Sequence, residues 1–393
     1  MDKRMIHTPE GVRDIYGGEL RKKRFLEQKL PHTIASYGYH DIQTPTFEFF
    51  DIFSREVGTT PSKELYKFFD KEGNTLVLRP DFTPSVARCA AKYFVEDEMP
   101  IRLCYEGNAF TNTSSLQGKL KEATQMGAEL IGDDSVEADA ELICMVIAAL
   151  KNAGFVDFQI SIGEVEYFKG ICEEASLDEE TVAELREYIS AKNYFAAGEL
   201  LRGKGISDKE LEDLLNNNDI CTIDDLKEIR NKTTVKKAAA AIDRLIELYD
   251  VVSIYGYERY ISFDLGMLSK FHYYTGVIFK AYTYGVGDAI VKGGRYDCLL
   301  HQFGREAAAV GCVFLIDDIL SAYSGVKNEA LDCEKEIRLV FDTAHRKEAV
   351  KEMEEYRDRG FVVAAILCDS EKRCAQIKEY AGHHTEYDWK YLV

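Results

Sequence analysis

Two strand-like segments separated by a short polar loop place the strongest constraint on the fold. The segments are "PIRLCYEGNAF" and "EATQMGAELIG", and the loop between them runs from Thr111 to Lys121. Runs joined in this way predict an antiparallel pair of strands. Because side chains alternate along a strand, Gln125, Gly127 and Glu129 share one face. The glycine favours a binding recess between the two polar side chains, since a strand glycine often marks close approach of a ligand or backbone. A solvated sheet face is the alternative.

Length, charge and cysteine usage narrow the class of protein. A chain of 393 residues predicts two or three domains. The net charge of -19 argues against a broad nucleic-acid surface, because phosphate binding needs clustered Lys and Arg. The ten cysteines form no CxxC pair, which predicts reduced thiols that mostly fill the core. With no apolar leader and no membrane-length apolar run, we expect a cytoplasmic protein without a membrane partner.

Hydrophobic periodicity predicts an α+β chain of two domains. We place a core domain at residues 1–325, a helical insertion within it at 170–250, and a small C-terminal α/β unit at 335–393. Capping boxes are predicted at Ser176 with Glu179 and at Ser207 with Glu210. In the C-terminal unit, "EIRLVFD", "HRKEAVKEMEEYRDRG" and "FVVAAILCD" predict strand, helix and strand.

Three further polar motifs have both a functional and a structural interpretation. In "LRPDFTPS", Asp81 and Thr83 follow a strand and suit a site, but they also suit a helix cap. In "FHYYTGVIF", Tyr273 and Tyr274 point to opposite faces of a predicted strand, so only one can enter a given pocket. In "VKGGRYD", the glycines permit close approach of a ligand or form a turn, and pairing with an acid is the structural interpretation of Arg295.

The order of these motifs resembles the histidyl-tRNA synthetase branch of the class II synthetases. The matching stretches span roughly residues 8–320 and are "EGVRD", "YGYHDIQTP", "LRPDFTPSVAR", "GNAFTN" with "QMGAELIG", "YYTGVIF" and "GGRYD". The resemblance implies an α+β fold with a mostly antiparallel sheet of six or seven strands flanked by helices. It also implies a self-dimer through the "YGYHDIQTP" region of the core.

The same resemblance implies a pocket for free histidine. Asp81 and Gln125 would accept from the α-ammonium group, Glu129 from an imidazole N–H, and Tyr274 would fix the other edge of the ring. Thr83 and Tyr273 complete the predicted histidine-binding set. A site built from such groups discriminates strongly, because an analogue leaves buried polar groups unpaired.

The chain departs from that family where ATP would be activated. Thr111, Ser269 and Asp318 stand at three positions where the family carries arginine, although Lys119 and Lys121 remain nearby. Adenylation depends on cations that stabilise charge on the phosphates. The residues after 335 also look too few for an anticodon-binding domain of about a hundred residues. We therefore expect no catalytic residue, no cofactor, no metal and no tRNA charging.

A histidine pocket beside degenerate ATP positions resembles the regulatory-subunit family of ATP phosphoribosyltransferase. That resemblance implies a short-form catalytic subunit as partner, a hetero-octamer, and feedback inhibition by histidine at the first step of histidine biosynthesis. Histidine would act through a different affinity for active and inhibited states, felt by the partner through the "YGVGD" loop at Gly285 and Gly287. A subunit-interface site for histidine, a divergent synthetase and a stand-alone histidine sensor remain the alternatives.

Overall fold

The computed structural model describes residues 6–54, 60–95, 100–113, 120–204, 222–268, 274–323 and 336–393. The chain separates into two compact units, Met1–Val326 and Lys327–Val393. We call these the core unit and the C-terminal unit.

The described residues contain fourteen strands and twelve α-helices. The strands are β1 (His40–Asp41), β2 (Phe47–Phe49), β3 (Lys67–Phe69), β4 (Thr75–Leu78), β5 (Ile101–Phe110), β6 (Glu122–Ile131), β7 (Phe158–Glu164), β8 (Ile261–Phe263), β9 (Val277–Thr283), β10 (Val291–Arg295), β11 (Ala309–Leu315), β12 (Ile337–Phe341), β13 (Val363–Leu367) and β14 (Asp388–Leu392). The helices are α1 (Gly17–Ser36), α2 (Asp51–Ser54), α3 (Thr83–Tyr93), α4 (Val136–Asn152), α5 (Val165–Glu174), α6 (Glu179–Ser190), α7 (Tyr194–Gly203), α8 (Ile223–Lys232), α9 (Lys236–Ile254), α10 (Ile316–Ala322), α11 (Arg346–Asp358) and α12 (Glu371–His383).

The central sheet of the core unit has the strand order β1-β5-β6-β11-β10-β9-β7-β8. Only the outer pairs β1–β5 and β7–β8 are parallel. The predicted pair of strands is confirmed as β5 and β6, which run antiparallel over ten residues each. The sheet has eight strands in the described residues rather than six or seven, because two short edge strands, β1 and β8, join it.

Helix boundaries follow capping chemistry, although one predicted cap is wrong. Helix α4 begins where the Ser135 hydroxyl accepts from the N–H of Ala138, and the chain turns at Gly154 with φ +98°. The predicted box at Ser176 is wrong, since Asp178 caps α6 by accepting from Thr181 at 2.8 Å. The box predicted at Ser207 and Glu210 lies outside the described residues.

Every element described between β7 and β8 is a helix or a 3₁₀ turn. These helices, α5 to α9, form the helical segment of the core unit. Helix α8 carries a complete capping box. The Thr222 hydroxyl accepts from the N–H of Asp225, and the Asp225 carboxylate accepts from the N–H of Thr222. Helix α9 packs against α5 and α4, so the segment shares the apolar core of the sheet.

A second, smaller sheet in the core unit has the order β2-β4-β3 and is antiparallel. One face is buried, where Val77 packs with Phe53 and Leu65. The opposite face carries Phe47, Phe49 and Phe68, whose exposed fractions are 52%, 56% and 37%, and we call it the phenylalanine face.

The C-terminal unit is a parallel three-stranded sheet of order β13-β12-β14. Helix α11 covers one face through Ala349 and Met353, and helix α12 covers the other through Ile377. The predicted strand, helix and strand are β12, α11 and β13, and the unit continues with α12 and β14.

Candidate functional site

The centre of the candidate site is the carboxyl group of Glu129 on β6. Its side chain is 1% exposed, and the residue pairs with Leu103 on β5 and Gly311 on β11. A Cβ atom at Gly311 would lie 1.7 Å from Glu129 Oε2, so a side chain there cannot coexist with this carboxyl position. The glycine on the neighbouring strand therefore makes the space that Glu129 occupies.

Three hydroxyl groups hold the Glu129 carboxyl group. Thr83 Oγ1 donates to Oε1 at 2.8 Å and Tyr105 Oη donates to the same atom at 3.3 Å. The Tyr296 hydroxyl lies within hydrogen-bond distance of Oε2. In the described part of the chain each hydrogen bond of this carboxyl is with a hydroxyl group, and no ion pair reaches it.

Burial raises the pKa of Glu129 to about 8, from an ordinary value of 4.5. The charged form loses water on burial, and the nearby Asp81 carboxyl acts in the same direction, while the hydroxyl donors oppose it. Burial together with Glu129 also raises the pKa values of Tyr105 and Tyr296 well above 10. The carboxyl group of Glu129 therefore keeps its proton near neutral pH, and a cation bound beside it would favour the ionised form.

Asp81 and Thr83 lie beside Glu129 at the start of α3. Asp81 Oδ1 accepts from the backbone N–H groups of Phe82 at 2.6 Å and Thr83 at 3.3 Å. The N-cap of α3 is Phe82 and not Asp81, although the Asp81 carboxyl accepts from two N–H groups where the helix begins. The same carboxyl is half-buried and close enough to raise the pKa of Glu129, and its role toward a ligand stays a prediction.

Gln125 occupies the same strand face as Glu129, two alternations along β6. Its Oε1 atom is buried and has no hydrogen-bond partner in the described residues. A buried amide oxygen without a donor is unfavourable by about 1–3 kcal/mol. The position is thus suited to a donor group from a ligand.

Gly127, between these two residues, has a different role from the one expected. A Cβ atom there would lie 2.2 Å from Tyr105 Oη. The space beside Gly127 is therefore filled by the hydroxyl of Tyr105, across the β5–β6 pair, and not left for a ligand.

Tyr274 lies before β9 and not within a strand, so the argument from opposite strand faces does not apply to it. Its ring is half-buried and packs with Val165, Met267 and Ile278. The ring also lies where a Cβ atom at Gly294 would be, 2.7 Å from Cε1. Gly294, Gly311 and Glu129 are register partners across β10, β11 and β6, so the Tyr274 ring lies on the face of the sheet that carries Glu129. Tyr273 and Ser269 lie outside the described residues.

The glycine pair of "VKGGRYD" is neither a turn nor a bare ligand cradle. Gly293 and Gly294 lie inside β10 and make room for the rings of Phe279 and Tyr274. Arg295 pairs with Asp139 at 2.7 Å and is 3% exposed, so the structural interpretation of this arginine is correct.

Two residues of the site escaped prediction, Tyr105 and Tyr296. Tyr105 stacks on Phe82 with ring centroids 4.5 Å apart, and this stacking orients its hydroxyl. The sequence does contain a signal for Tyr105. Once β5 and β6 are predicted to pair across their loop, Tyr105 comes to lie opposite Gly127. Tyr296 had no local signal, since its role depends on the order of β6, β11 and β10.

Two of the three positions at which arginine would be needed, Thr111 and Asp318, lie at the loop end of β5 and β6. Thr111 follows β5 and donates its N–H to Lys121 O at 2.9 Å. Asp318 lies in α10, half-buried, and its neighbour Asp317 accepts from the N–H of Thr124 at 2.7 Å. Asp317 also lies 3.6 Å from Arg13.

Other features of the core unit lie outside this cluster. The "YGVGD" loop joins β9 to β10 at the end of β9 opposite Tyr274. A surface cleft of about 510 Å³ is lined by Asp297, Cys298, His301 and Glu306, and includes none of the predicted residues.

Two kinds of feature are absent from the described residues. They contain no group of three His, Cys, Asp or Glu side chains arranged to hold a metal ion. No helix among them is long and apolar enough to span a membrane.

Comparison with known proteins places this chain in a family. The family model described as histidyl-tRNA synthetase matches residues 11–319. An ATP phosphoribosyltransferase regulatory subunit from Ruminiclostridium cellulolyticum is 36% identical over 97% of this chain and 91% of its own. A crystal structure from Bacillus halodurans, described as an ATP phosphoribosyltransferase regulatory subunit/histidyl-tRNA synthetase, is 32% identical with a TM-score of 0.85. It covers 99% of this chain and 98% of its own.

The fold extends to a synthetase as well. Histidyl-tRNA synthetase from Nostoc sp. has a TM-score of 0.79 at 17% identity, over 97% of this chain and 90% of its own. The predicted class II α+β fold is confirmed. By its identity over nearly the whole length, the chain belongs to the family of ATP phosphoribosyltransferase regulatory subunits.

Proposed function

We propose that this chain is the non-catalytic regulatory subunit of an ATP phosphoribosyltransferase and binds free histidine at Glu129. The observation that carries the proposal is a carboxyl group 1% exposed and held only by hydroxyl groups. The imidazole ring of histidine would pair with this carboxyl group as a cation, because the ring accepts a proton near neutral pH. The resulting ion pair would lie in a buried, hydrogen-bonded setting, where such pairs discriminate well.

The rest of the site suits the other end of the same molecule. The Cα atoms of Gln125 and Glu129 are four residues apart on β6, or roughly 13 Å at the rise of a strand. Side chains converging from both positions can hold opposite ends of one amino acid. The α-ammonium group would donate to the unpartnered Oε1 of Gln125 and to Asp81, and Tyr274 would border the ring.

Loss of adenylation chemistry supports a regulatory rather than a catalytic role. At the loop end of β5 and β6, Thr111 and Asp318 offer no positive charge, and Asp317 is held by Thr124 and Arg13. A carboxylate beside a triphosphate is repulsive, and catalytic cations there are worth about two or more powers of ten in rate. We infer that ATP is not activated here and that the partner carries out the reaction.

Regulation then follows from linkage between two subunits. Histidine inhibits only if it binds the inhibited state of the assembly more tightly than the active state. We propose that the partner is a short-form catalytic subunit and that the two chains form a cytoplasmic hetero-octamer. Within it, this chain would also form a self-dimer. The step is the first of histidine biosynthesis, so histidine is the end product.

Reconstitution with the catalytic subunit tests the proposal. Activity is measured with and without histidine for the native chain, Glu129→Gln and Glu164→Gln. Glu164 is the matched control, since it is also a sheet carboxyl, 2% exposed, with a pKa raised by burial to about 8. For Glu129→Gln we expect the half-inhibiting histidine concentration to rise at least about tenfold, the equivalent of one charged hydrogen bond. Glu164→Gln should retain inhibition, and equal inhibition of all three proteins would refute the site.

Two simpler assays separate the alternatives. A divergent synthetase would catalyse histidine-dependent exchange between ATP and pyrophosphate, and we expect none from the purified chain. A stand-alone sensor would bind histidine yet leave phosphoribosyltransferase activity unchanged when mixed with the catalytic subunit. Stimulation of the catalytic subunit by this chain excludes that sensor role.

A further inference from the structure

Two cysteines that are separated in the sequence meet in the C-terminal unit. Cys368 follows β13 and Cys374 lies in the first turns of α12, and the two are joined as a disulfide with Cα atoms 5.2 Å apart. That Cα distance is within the range of unstrained disulfides. The expectation that all the cysteines are reduced is therefore wrong for this pair, because the turn between β13 and α12 brings them together.

The two sulfur atoms differ in accessibility. Cys368 is 3% exposed and packs with Val340 and Ile377 under α12, whereas Cys374 is half-buried at the edge of that cluster. Cys374 is flanked by the exposed Lys372 and Arg373 and lies near the N-terminus of a thirteen-residue helix. Both features favour a thiolate over a thiol, and the thiolate is the attacking form.

We propose that Cys368 and Cys374 are a reversible thiol–disulfide modification site that reacts with small-molecule disulfides such as oxidised glutathione. Disulfides in reducing compartments are mostly transient or redox-sensing. A pair with one accessible and one buried sulfur has the arrangement needed for two-step exchange. The proposal does not depend on histidine binding at Glu129.

Formation of the disulfide needs no reactant other than oxidised glutathione. The Cys374 thiolate attacks one sulfur of oxidised glutathione, forming a mixed disulfide and releasing one glutathione thiolate. The Cys368 thiol gives its proton to solvent, attacks the Cys374 sulfur and expels the second glutathione thiolate. Two protein thiols are thereby oxidised and one small-molecule disulfide is reduced to two thiols.

Oxidation ties the start of α12 to the end of β13. Helix α12 joins β13 to β14 and covers one face of the sheet, so the bond restrains the element that links two of the three strands. We expect slower hydrogen exchange in residues 371–383 and a higher melting temperature in the oxidised protein, because the cross-link restricts the unfolded chain.

Peptide mapping of the full-length chain tests the proposal. The native protein is equilibrated in buffers of varied ratio of oxidised to reduced glutathione, alkylated and cleaved with trypsin. Cleavage after Lys372 and Arg373 separates the two cysteines, so the disulfide appears as a pair of linked peptides. We expect the linked pair to form in the folded protein at a lower proportion of oxidised glutathione than in guanidinium, and to disappear in excess reduced glutathione.

Matched variants complete the test. Cys374→Ser should abolish the linked peptides and the effect of the oxidant on melting and on exchange in residues 371–383. Cys298→Ser, at an exposed free cysteine of the core unit, should change neither. Separately alkylated Cys368 and Cys374 at every ratio would overturn the proposal, as would equal linkage in folded and unfolded protein or a linkage that reduced glutathione does not reverse.

Discussion

At the scale of single residues, the core unit contains two carboxyl groups that burial keeps protonated near neutral pH. Glu129 contacts three hydroxyl groups, whereas Glu164 accepts from the N–H of Glu166 through one oxygen and leaves Oε2 without a partner in the described residues. Their pKa values are similarly raised, to about 8. Glu129, Gly311, Gly294 and Ile278 are register partners across four strands, whereas Glu164 pairs with Val277, the next position along, and so lies on the opposite face of the sheet. A raised pKa alone therefore does not identify the site.

These carboxyl groups predict a particular dependence of stability on pH. Between 4.5 and about 8 the folded chain keeps protons that the unfolded chain has released. The free energy of unfolding therefore falls as pH rises through this range, by roughly 1.4 kcal/mol per unit of pKa difference for each group. Stability from these groups is fully present below the unfolded pKa and is lost as pH rises through the folded value.

Urea unfolding of the native chain and the two glutamine variants, at about pH 5 and about pH 8, measures this effect. Glu129→Gln and Glu164→Gln should each reduce the loss of stability between those values, and the double variant should reduce it further. An unchanged pH dependence in Glu129→Gln would mean that Glu129 is ionised throughout the range.

At the scale of secondary-structure elements, the glycine on β11 decides whether β6 can present its carboxyl group. In Gly311→Ala, the added Cβ would meet Glu129 Oε2 at 1.7 Å and Ala128 O at 3.0 Å. We expect a loss of about 1–3 kcal/mol of unfolding free energy, typical of overpacking, together with loss of histidine binding. Calorimetric titration with histidine and urea unfolding measure the two effects.

Gly287→Ala is the matched control, because nothing lies within 4 Å of a Cβ at that position. It should leave both stability and histidine binding nearly unchanged. It also tests the idea that the "YGVGD" loop transmits the signal. Normal inhibition of the reconstituted enzyme by histidine in this variant would argue against such a role.

The sequence predicts much of this fold because most elements carry local signals. The β5–β6 pair, α1, α4 and α9 follow from periodicity, polar loops and terminal glycines. The interpretation of Gly293 and Gly294 as a turn or ligand cradle failed, since paired glycines look the same inside a strand that packs against aromatic rings. The cap at Ser176 failed because Asp178, two residues later, competes for the same role.

The candidate site was harder to predict than the elements that carry it. Asp81, Thr83 and Glu129 meet because the start of α3 lies over β6, and Thr83 bonds Glu129 across 46 positions of sequence. Tyr296 reaches Glu129 across 167 positions, through the order of strands in the sheet. Such contacts depend on tertiary structure, and local periodicity does not predict which distant residues meet.

At the scale of the whole molecule, the phenylalanine face of the core unit is the surface that we assign to the proposed self-dimer. Phe47 and Phe68 meet edge to face at 5.8 Å on this exposed surface, directly after the "YGYHDIQTP" stretch. Contiguous exposed aromatic rings are unusual on a monomer and mark contact sites. A net charge of -19 makes unspecific self-association unfavourable, so a specific apolar contact is required.

Phe49→Asp tests this surface by placing a charge at its centre. We expect the dissociation constant of the proposed dimer to rise at least about tenfold, because a desolvated charge is unfavourable in an apolar contact. Sedimentation or light scattering over a range of protein concentrations measures the change. Phe195→Asp, at a 79% exposed position on α7, is the control and should remain dimeric. If both variants behave like the native chain, the dimer uses another surface.

The buried ion pair of Arg295 has a consequence for how this chain can be engineered or recombined. One carboxylate, Asp139 on α4, binds Arg295 of β10 at 2.7 Å and Arg244 of α9 at 2.6 Å. The helical segment is thus joined to the strand that precedes Tyr296. A chimera that exchanged this segment between relatives without matching residues 139 and 244 would leave a buried charge unbalanced. The segment is not an independent module, and its replacement would disturb the site through Arg295, the neighbour of Tyr296.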